Sequence, residues 1–543
     1  MLQASKFENN TFFKACLILA LLVLPMLRVG YYGVPMFLDD AAIVFIYALN
    51  LLNHGAIFFN IPADRIDGFT SMIDVLFALP LAAINAEAMY ELNYYVKAAM
   101  TSLVPLAAFL VLRKQQVTII NAGLVALAIA LSTPLAHGFG MQLEAPYYAL
   151  FICAFIGNLL SNGKRRLLLL SLSGIALCLT RPESPALIFS ALSAYIFLFR
   201  NDALRRRQTV TAMIVIAVFL AIWYSWRIYY FGYWAPNTYY AKLSGTRLEE
   251  IQQGLSYLLY FFGSSADVWL CIGALLSLSG LAYLQFYKND AADQVTRVAA
   301  NNALVVGFAA CTMLAVRIAT GGDSYTISAR LLIDFYLLTA LTAGLLTTAI
   351  TQQRLNYVLA ALVAVSILGN TLVIVRNLPG NIGGFIKQQR ILSATLQCER
   401  NAITALHAAN PDARFAQTDF QRAKYYAPDM HMIDLSGLNS REIAHREATD
   451  SNVYGKHDLK HALDKKVELW KIGTGPIEQA PVTQEEWAQT LITGEYPDTH
   501  YSDPFFIENA DALSKHYKTA AIETGCDNYI NLIVTGNVRI PSQ

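Results

Sequence analysis

The chain has 543 residues, of which 55% are hydrophobic and only 15% charged, with a mean hydropathy of +0.40 and a net charge of +1. Average soluble domains carry roughly 25% charge, so the composition excludes a soluble enzyme, a disordered scaffold and a nucleic-acid binder built on a basic face. The deficit is uneven. Residues 1–379 hold 24 Lys and Arg and 18 Asp and Glu, a net +6, whereas residues 380–543 hold 16 and 21, a net −5. Two parts are predicted: a polytopic α-helical membrane body over 1–379 and a soluble domain over 380–543.

A bilayer core of ~30 Å needs about 20 apolar residues in a helix. Runs that qualify lie near 12–30, 93–112, 117–135, 147–162, 167–180, 184–199, 208–226, 266–286, 298–316, 331–350 and 357–375. These predict eleven spans. Two shorter runs, 40–52 and 71–86, can span or lie flat. Basic clusters at Arg113–Lys114, Lys164–Arg166, Arg200–Arg207, Lys288 with Arg297, and Arg354 decide between the two. With both short runs lying on the outer surface, every cluster faces the cytoplasm, as the positive-inside bias requires. The N-terminus is then cytoplasmic and residues 380–543 are extracytoplasmic. No small-residue cleavage site follows the first run, which therefore reads as a retained span.

This topology gathers the unusual polar residues on one face. Asp39 and Asp40 follow the first span, and Glu144 sits before Pro146 in the loop between spans three and four. Arg181-Pro182-Glu183 occupies the next outer loop, Pro236-Asn237-Thr238-Tyr239-Tyr240-Ala241-Lys242 the one after span seven, and Gly321-Gly322-Asp323 with Arg330 the one after span nine. Singly, each has a plain alternative: solvated span ends, a proline turn, or an aromatic belt at the bilayer interface. Together they suit a lipid-phosphate-linked sugar, whose tail stays in the bilayer. Asp39 or Asp40 can act as the base on an acceptor hydroxyl. Arg181, Lys242 and Arg330 can hold the phosphate. Glu144, Glu183, Asn237, Tyr239, Tyr240 and Asp323 can shape a sugar pocket. There is no phosphate loop, dinucleotide fingerprint or His/Cys metal spacing, so no cofactor is read with certainty. Asp39, Asp40 and Asp323 could share a divalent cation such as Mg, Mn or Ca.

Five cysteines lie in apolar runs, and two, Cys398 and Cys526, lie in the soluble domain, a count compatible with one disulfide in an oxidising compartment. That domain opens with a helix-like amphipathic stretch, Gln388–Asn410, followed by short apolar segments, which suits a small α/β fold. Its aromatics, Trp470, Trp487, Tyr496, Tyr501, Phe505 and Phe506, read either as a glycan-stacking surface or, preferably, as an ordinary core.

The motifs resemble the polytopic GT-C glycosyltransferases, within them the group that includes the mycobacterial terminal arabinofuranosyltransferase of the cell envelope. Phe37-Leu38-Asp39-Asp40-Ala41-Ala42-Ile43, His54-Gly55 to Asn60 and Asp67-Gly68-Phe69-Thr70-Ser71 are similar to that group's first-loop motifs. So are Leu143-Glu144-Ala145-Pro146, Thr180-Arg181-Pro182-Glu183, the stretch from Gly232 through Pro236-Asn237-Thr238-Tyr239-Tyr240-Ala241-Lys242, Gly321-Gly322-Asp323 with Arg330, and Ile433-Asp434-Leu435-Ser436-Gly437-Leu438-Asn439. Ala42, Ile46, Asp67 and Met72-Ile73-Asp74 depart from the group. The resemblance implies a GT-C fold with two juxtamembrane helices in the first outer loop and a first-loop acid as catalytic base. It further implies a polyprenyl-phosphate sugar donor, arabinofuranose among the options, and an envelope glycan, lipopolysaccharide or pilin-like acceptor at the outer face of a bacterial plasma membrane. The rival is a lipid or sugar transporter or flippase, which tends to place ionisable groups at mid-bilayer on broken, repeated helices.

Overall fold

A computed structural model describes residues 10–31, 39–60, 65–242, 246–287, 294–322, 329–350, 353–418, 421–447, 456, 458–471, 481–496, 501–526 and 528–541. Helix α1 (Thr11–Tyr31) is the first apolar run, and α2 (Asp39–His54) and α3 (Met72–Asn85) are the two short ones. Then come α4 (Met89–Lys114), α5 (Ile119–Leu131), α6 (Thr133–Gly140), α7 (Ala145–Leu159), α8 (Arg166–Thr180), α9 (Ser184–Leu198) and α10 (Ala203–Phe231). The body is completed by α11 (Asn237–Lys242), α12 (Arg247–Ser264), α13 (Val268–Tyr287), α14 (Gln294–Ala319), α15 (Ile333–Ala349) and α16 (Gln353–Ala409). Local chemistry sets many of these ends. Ser71, Thr118 and Asp202 accept from the first-turn N–H groups of α3, α5 and α10, Thr246 and Glu249 form a capping box on α12, and Gly232 in the left-handed region stops α10.

Among the described residues, six helices are long and apolar enough to cross a membrane, or eight if each of two bent pairs counts as one span. The bent pairs are α5–α6, turned by 42°, and α12–α13, turned by 110°. Eleven spans are therefore not reached by length. Three of the expected ones, α7, α8 and α9, contain 15 residues each, about 22 Å at 1.5 Å per residue, because Pro146, Arg181 and Pro185 bound them closely. Helix α15 is the hub of the body. It is buried almost throughout and packs against α13, α14, α5 and α7.

The expected division at 379/380 falls inside a continuous 57-residue helix, α16, which runs on from the body into the C-terminal domain. The helix passes through Pro379-Gly380 and Gly383-Gly384 without a break. Beyond it lie β1 (Phe415–Gln417), α17 (Arg422–Tyr426), β2 (Met432–Asp434), α18 (Arg441–Ala444), α19 (Leu459–Asp464) and β3 (Leu469–Lys471). These are followed by α20 (Gln484–Thr493), β4 (Glu495–Tyr496), β5 (Tyr501–Ser502), α21 (Pro504–Glu508), α22 (Ala510–His516), β6 (Tyr517–Glu523) and β7 (Tyr529–Thr535). Five strands form one sheet in the order β2-β1-β3-β7-β6. Strand β1 pairs parallel with β2 and β3, whereas β7 runs antiparallel to β3 and β6. The α/β expectation holds. Trp470, Trp487, Tyr496, Phe505 and Phe506 are all buried in one apolar cluster, so these five are core rather than a glycan-stacking face, while the Tyr501 side chain lies outside the described part. Cys398 on α16 is bonded to Cys526, just after β6, with Cα atoms 6.2 Å apart and a sequence separation of 128.

The domain is seated directly on the first loop of the body. Ala41 to Leu49 of α2 are all buried, and they share an apolar core with Ala402, Ile403 and Leu406 of α16 and with Phe415, Met432 and Leu469 of the sheet. Asn60 exchanges two hydrogen bonds with the Met432 backbone, and the Tyr425 hydroxyl donates to the Ala86 carbonyl at 2.6 Å. Helix α2 is thus a buried element of the seam between the two parts.

Candidate functional site

One cavity of about 1000 Å³ opens at the end of the helical body that carries the sequence-selected polar loops. Helices α8 and α10 begin beside the basic clusters at Lys164–Arg166 and Arg205–Arg207 and end at this cavity. Basic clusters and cavity therefore lie at opposite ends of the same helices. The wall is assembled from the start of α2, the stretch 68–72, the α6–α7 turn, the α8–α9 turn, the end of α10, residues 234–242, α12, the end of α14, and Arg330.

Of the residues selected from sequence, Asp40, Glu144, Arg181, Glu183, Tyr239, Lys242 and Arg330 line this one cavity. Asp39 opens α2, but its side chain lies outside the described part, and Asp323 lies outside the described residues altogether. Asn237 and Tyr240 are placed differently. Asn237 is buried, and its side-chain amide donates to the carbonyls of Gly437, Leu438 and Ser440 at 2.8, 3.0 and 3.3 Å. It fastens the domain to the body instead of facing the cavity. Tyr240 turns its ring toward His445 of the domain, at a centroid distance of 4.3 Å.

The cationic roles also shift. Arg181 is paired with Glu144 and, at 2.6 Å, with Glu183. Glu183 accepts from Arg317 at 2.6 Å, and Arg317 pairs with Asp334 at 2.5 Å, which takes a further hydrogen bond from the Tyr148 hydroxyl. The result is an alternating chain, Glu144–Arg181–Glu183–Arg317–Asp334, three acids against two bases. Burial would push the Glu183 carboxyl up, but the two guanidiniums flanking it outweigh that and hold it down at about 2. Arg181 is thus committed to carboxylates. Lys242, exposed at the rim, makes no ion pair among the described residues.

Several wall residues were not selected from sequence. Arg227 and Arg317 sit near the C-terminal ends of apolar helices, and an ionisable group in such a helix is itself a pointer to a site. Asp74, one of the departures from the resembling group, pairs at 2.8 Å with Lys97, which also donates to the Gln142 carbonyl. Helix α12 is the largest omission. Glu249, Glu250, Gln252, Gln253 and Ser256 face the cavity, while Leu248, Ile251, Leu255 and Leu259 form an exposed apolar stripe. Its i, i+3, i+7, i+11 spacing was the available signal. Gly254 lets α12 lie against α14, because a Cβ there would come within 2.3 Å of the Ile318 carbonyl oxygen.

The floor of the cavity is finished by the domain. Leu438 lines it beside Gly68, Phe69 and Thr70. Asp434 organises the loop that carries Leu438. One carboxylate oxygen accepts from the Ser436 N–H and hydroxyl, the other from the Asn439 N–H at 2.8 Å and its amide at 3.1 Å. The Tyr47 hydroxyl donates to the Ile66 carbonyl at 2.6 Å, lies 3.2 Å from Asn439 Oδ1, and accepts from the Gly68 N–H. A Cβ at residue 68 would sit 1.8 Å from Asn439 Oδ1, so only glycine fits there. Beside it, Asp67 pairs with Arg227 and accepts from the Asn237 N–H at 3.1 Å. Burial pushes the Asp67 carboxyl up to about 7, and Arg227 and that N–H offset the push only in part.

Among the described residues, no group of three or more His, Cys, Asp or Glu side chains is arranged to hold a metal ion. The sequence matches no protein-family model and no curated protein.

Proposed function

We propose that the chain is a membrane glycosyltransferase of GT-C type. In this reading it transfers a sugar, arabinofuranose among the candidates, from a polyprenyl-phosphate donor to an envelope glycan, lipopolysaccharide or surface-protein acceptor. The observation that carries the reading is the convergence of Asp40, Glu144, Arg181, Glu183, Tyr239, Lys242 and Arg330, from loops spread over nearly 300 residues, on one cavity. Its apolar stretch, with Ile43, Val44, Leu179 and Trp223, suits a polyprenyl chain. Its charged stretch suits a phosphate.

Asp40, with Asp39 as alternate or orienting partner, takes the proton from an acceptor hydroxyl as its oxygen bonds to the anomeric carbon. The bond from that carbon to the phosphate oxygen breaks, and the electron pair leaves with the polyprenyl phosphate. Lys242 and Arg330 hold the phosphate charge, while the acid–base chain through Arg181 and Arg317 fixes the wall beside them. Counting α7, α8 and α9 as spans gives the eleven-span topology. Basic clusters opposite the cavity support a cytoplasmic N-terminus, and the Cys398–Cys526 disulfide supports an extracytoplasmic domain. The site then faces outward from a bacterial plasma membrane.

The two bent helix pairs are what favours the transporter alternative. One assay separates the readings. Purified protein in detergent, given a panel of synthetic polyprenyl-phosphate sugars and envelope extract as acceptor, is expected to consume one donor. Asp40→Asn should lower that rate about 10²–10⁴-fold, the usual worth of a positioned base, with an unchanged melting temperature. Consumption of no donor rejects the transferase and leaves transport, whereas full activity in both Asp39→Asn and Asp40→Asn keeps the transferase and rejects the first-loop acid as its base.

A further inference from the structure

The cavity wall does not end at the rim but continues as a strip of aromatic rings across the seam. Trp234 and Tyr239 line the cavity, and their ring centroids are 5.7 Å apart. Tyr239 touches Tyr240 at 5.5 Å, and Tyr240 touches Tyr233 at 5.5 Å. His445, from the C-terminal domain, lies between Tyr233 and Tyr240, at 4.1 and 4.3 Å from them. Arg441 covers Tyr233 at 5.3 Å. The strip is thus built from both parts of the molecule.

Two of its members are left open in complementary ways. Trp234 is 56% exposed, so its indole has a face to offer. The His445 ring stacks on Tyr233 and leans at a tilt against Tyr240, yet the residue is exposed, and its ring nitrogens have no hydrogen-bond partner among the described residues. An open aromatic face beside a fixed hydrogen-bonding edge suits a saccharide, which presents apolar C–H faces and hydroxyl rims together. A plain bilayer belt needs amphipathic rings at the interface, but it does not need a histidine of the soluble domain locked among them. Trp470, Trp487, Tyr496, Phe505 and Phe506 of the domain cannot serve, since they are buried.

We propose that Trp234, Tyr239, Tyr240 and His445 form the acceptor subsite, holding a glycan chain as it enters the cavity from the aqueous side. Trp234 stacks on one sugar ring, the His445 edge bonds hydroxyls of a neighbouring ring, and Tyr239 leads the accepting end toward Asp40. This assignment rests on the transferase reading for its role as an acceptor site, but glycan binding can be measured without turnover.

The test uses the full chain in detergent and a panel of soluble arabino-, galacto-, manno- and gluco-configured tetrasaccharides. Saturation-transfer NMR should show at least one of them bound. Trp234→Ala and His445→Ala should each weaken that binding at least fivefold, and Trp234→Phe, which keeps a stacking face, should restore most of it. Binding of none of them, or equal binding by wild type and both alanine variants, overturns the subsite. In the transfer assay, the same two variants should raise the acceptor KM about tenfold while the donor KM moves less than twofold. Wild-type transfer with unmoved acceptor KM values in both variants rejects the subsite and leaves the transferase standing. No transfer by wild type, with tetrasaccharide binding intact and sensitive to both variants, rejects the transferase and leaves the glycan site.

Discussion

Two buried polar networks in the helical body use the same chemistry to different ends. The chain Glu144–Arg181–Glu183–Arg317–Asp334 runs along the wall of a large cavity. The other network is sealed. Asp267, fully buried, accepts from the Thr133 N–H, the Ser265 and Ser366 hydroxyls and the Asn370 amide, at 2.8 to 3.1 Å. Arg28 joins it by donating to the Leu131 carbonyl, the Thr133 hydroxyl and Asn370 Oδ1. This second set ties α1, the α5–α6 bend, the start of α13 and α16 together. An ionisable residue inside an apolar body is an invitation to look for a site, but residue type does not distinguish a clamp from a working surface. Adjacent empty space does.

The largest expected effect that tests this contrast comes from Asp267→Ala. Removing the acceptor at the centre of a buried hydrogen-bonded network should cost about 3–5 kcal/mol of stability, seen as a large drop in thermal midpoint in detergent. Transfer per folded molecule should stay within twofold. Lost transfer with an unchanged midpoint would make the sealed network part of the site and dissolve the distinction.

A smaller effect is expected at the seam. Asn439→Ala strips the Tyr47 hydroxyl and the Asp434 carboxylate of a partner, at a cost of about 1–3 kcal/mol. Because Leu438 and Gly68 line the cavity, transfer should also fall several-fold, unlike the Asp267 variant. Unchanged transfer in a destabilised Asn439→Ala protein would reduce the domain's role to support.

The smallest effect is a pH dependence. Asp67 has an ordinary carboxyl value of 3.8 and is raised to about 7 in the fold, so the folded state holds an extra proton between those values. Its stabilising contribution is full below about 3.8 and is lost as pH rises through about 7. The difference in thermal midpoint between wild type and Asp67→Asn should therefore shrink from pH 5 to pH 7. A difference that widens over that interval would mean that the Arg227 pair dominates.

How much of this was legible in the sequence follows from what the bilayer enforces. Charged groups expelled to one end of apolar helices stand out, so Asp40, Glu144, Arg181, Glu183, Lys242 and Arg330 could be grouped before any coordinates. What they bond to could not. The pairing of Arg181 with two carboxylates depends on how the α6–α7 and α8–α9 turns meet. The anchoring of Asn237 involves carbonyls 200 or more residues away, for which a local pattern has no counterpart. Arg227 and Arg317 lie one position beyond the runs 208–226 and 298–316, and a basic residue at a span end carries no sign of the carboxylates it will meet. The change in charge density near 379/380 carries no sign that one helix, α16, runs on through it.

The contact between Tyr47 and Asn439 spans 392 positions of the chain. At 5–20 residues per second, the ribosome needs about 20 to 80 s to travel from one to the other. For that interval the helices of the first loop are already made, but the floor beneath Gly68 and Phe69 has no Leu438. Biogenesis therefore delivers an open shell first and its closing piece much later. A nascent chain halted at the end of the helical body would hold nearly every charged wall residue and still lack a finished chamber.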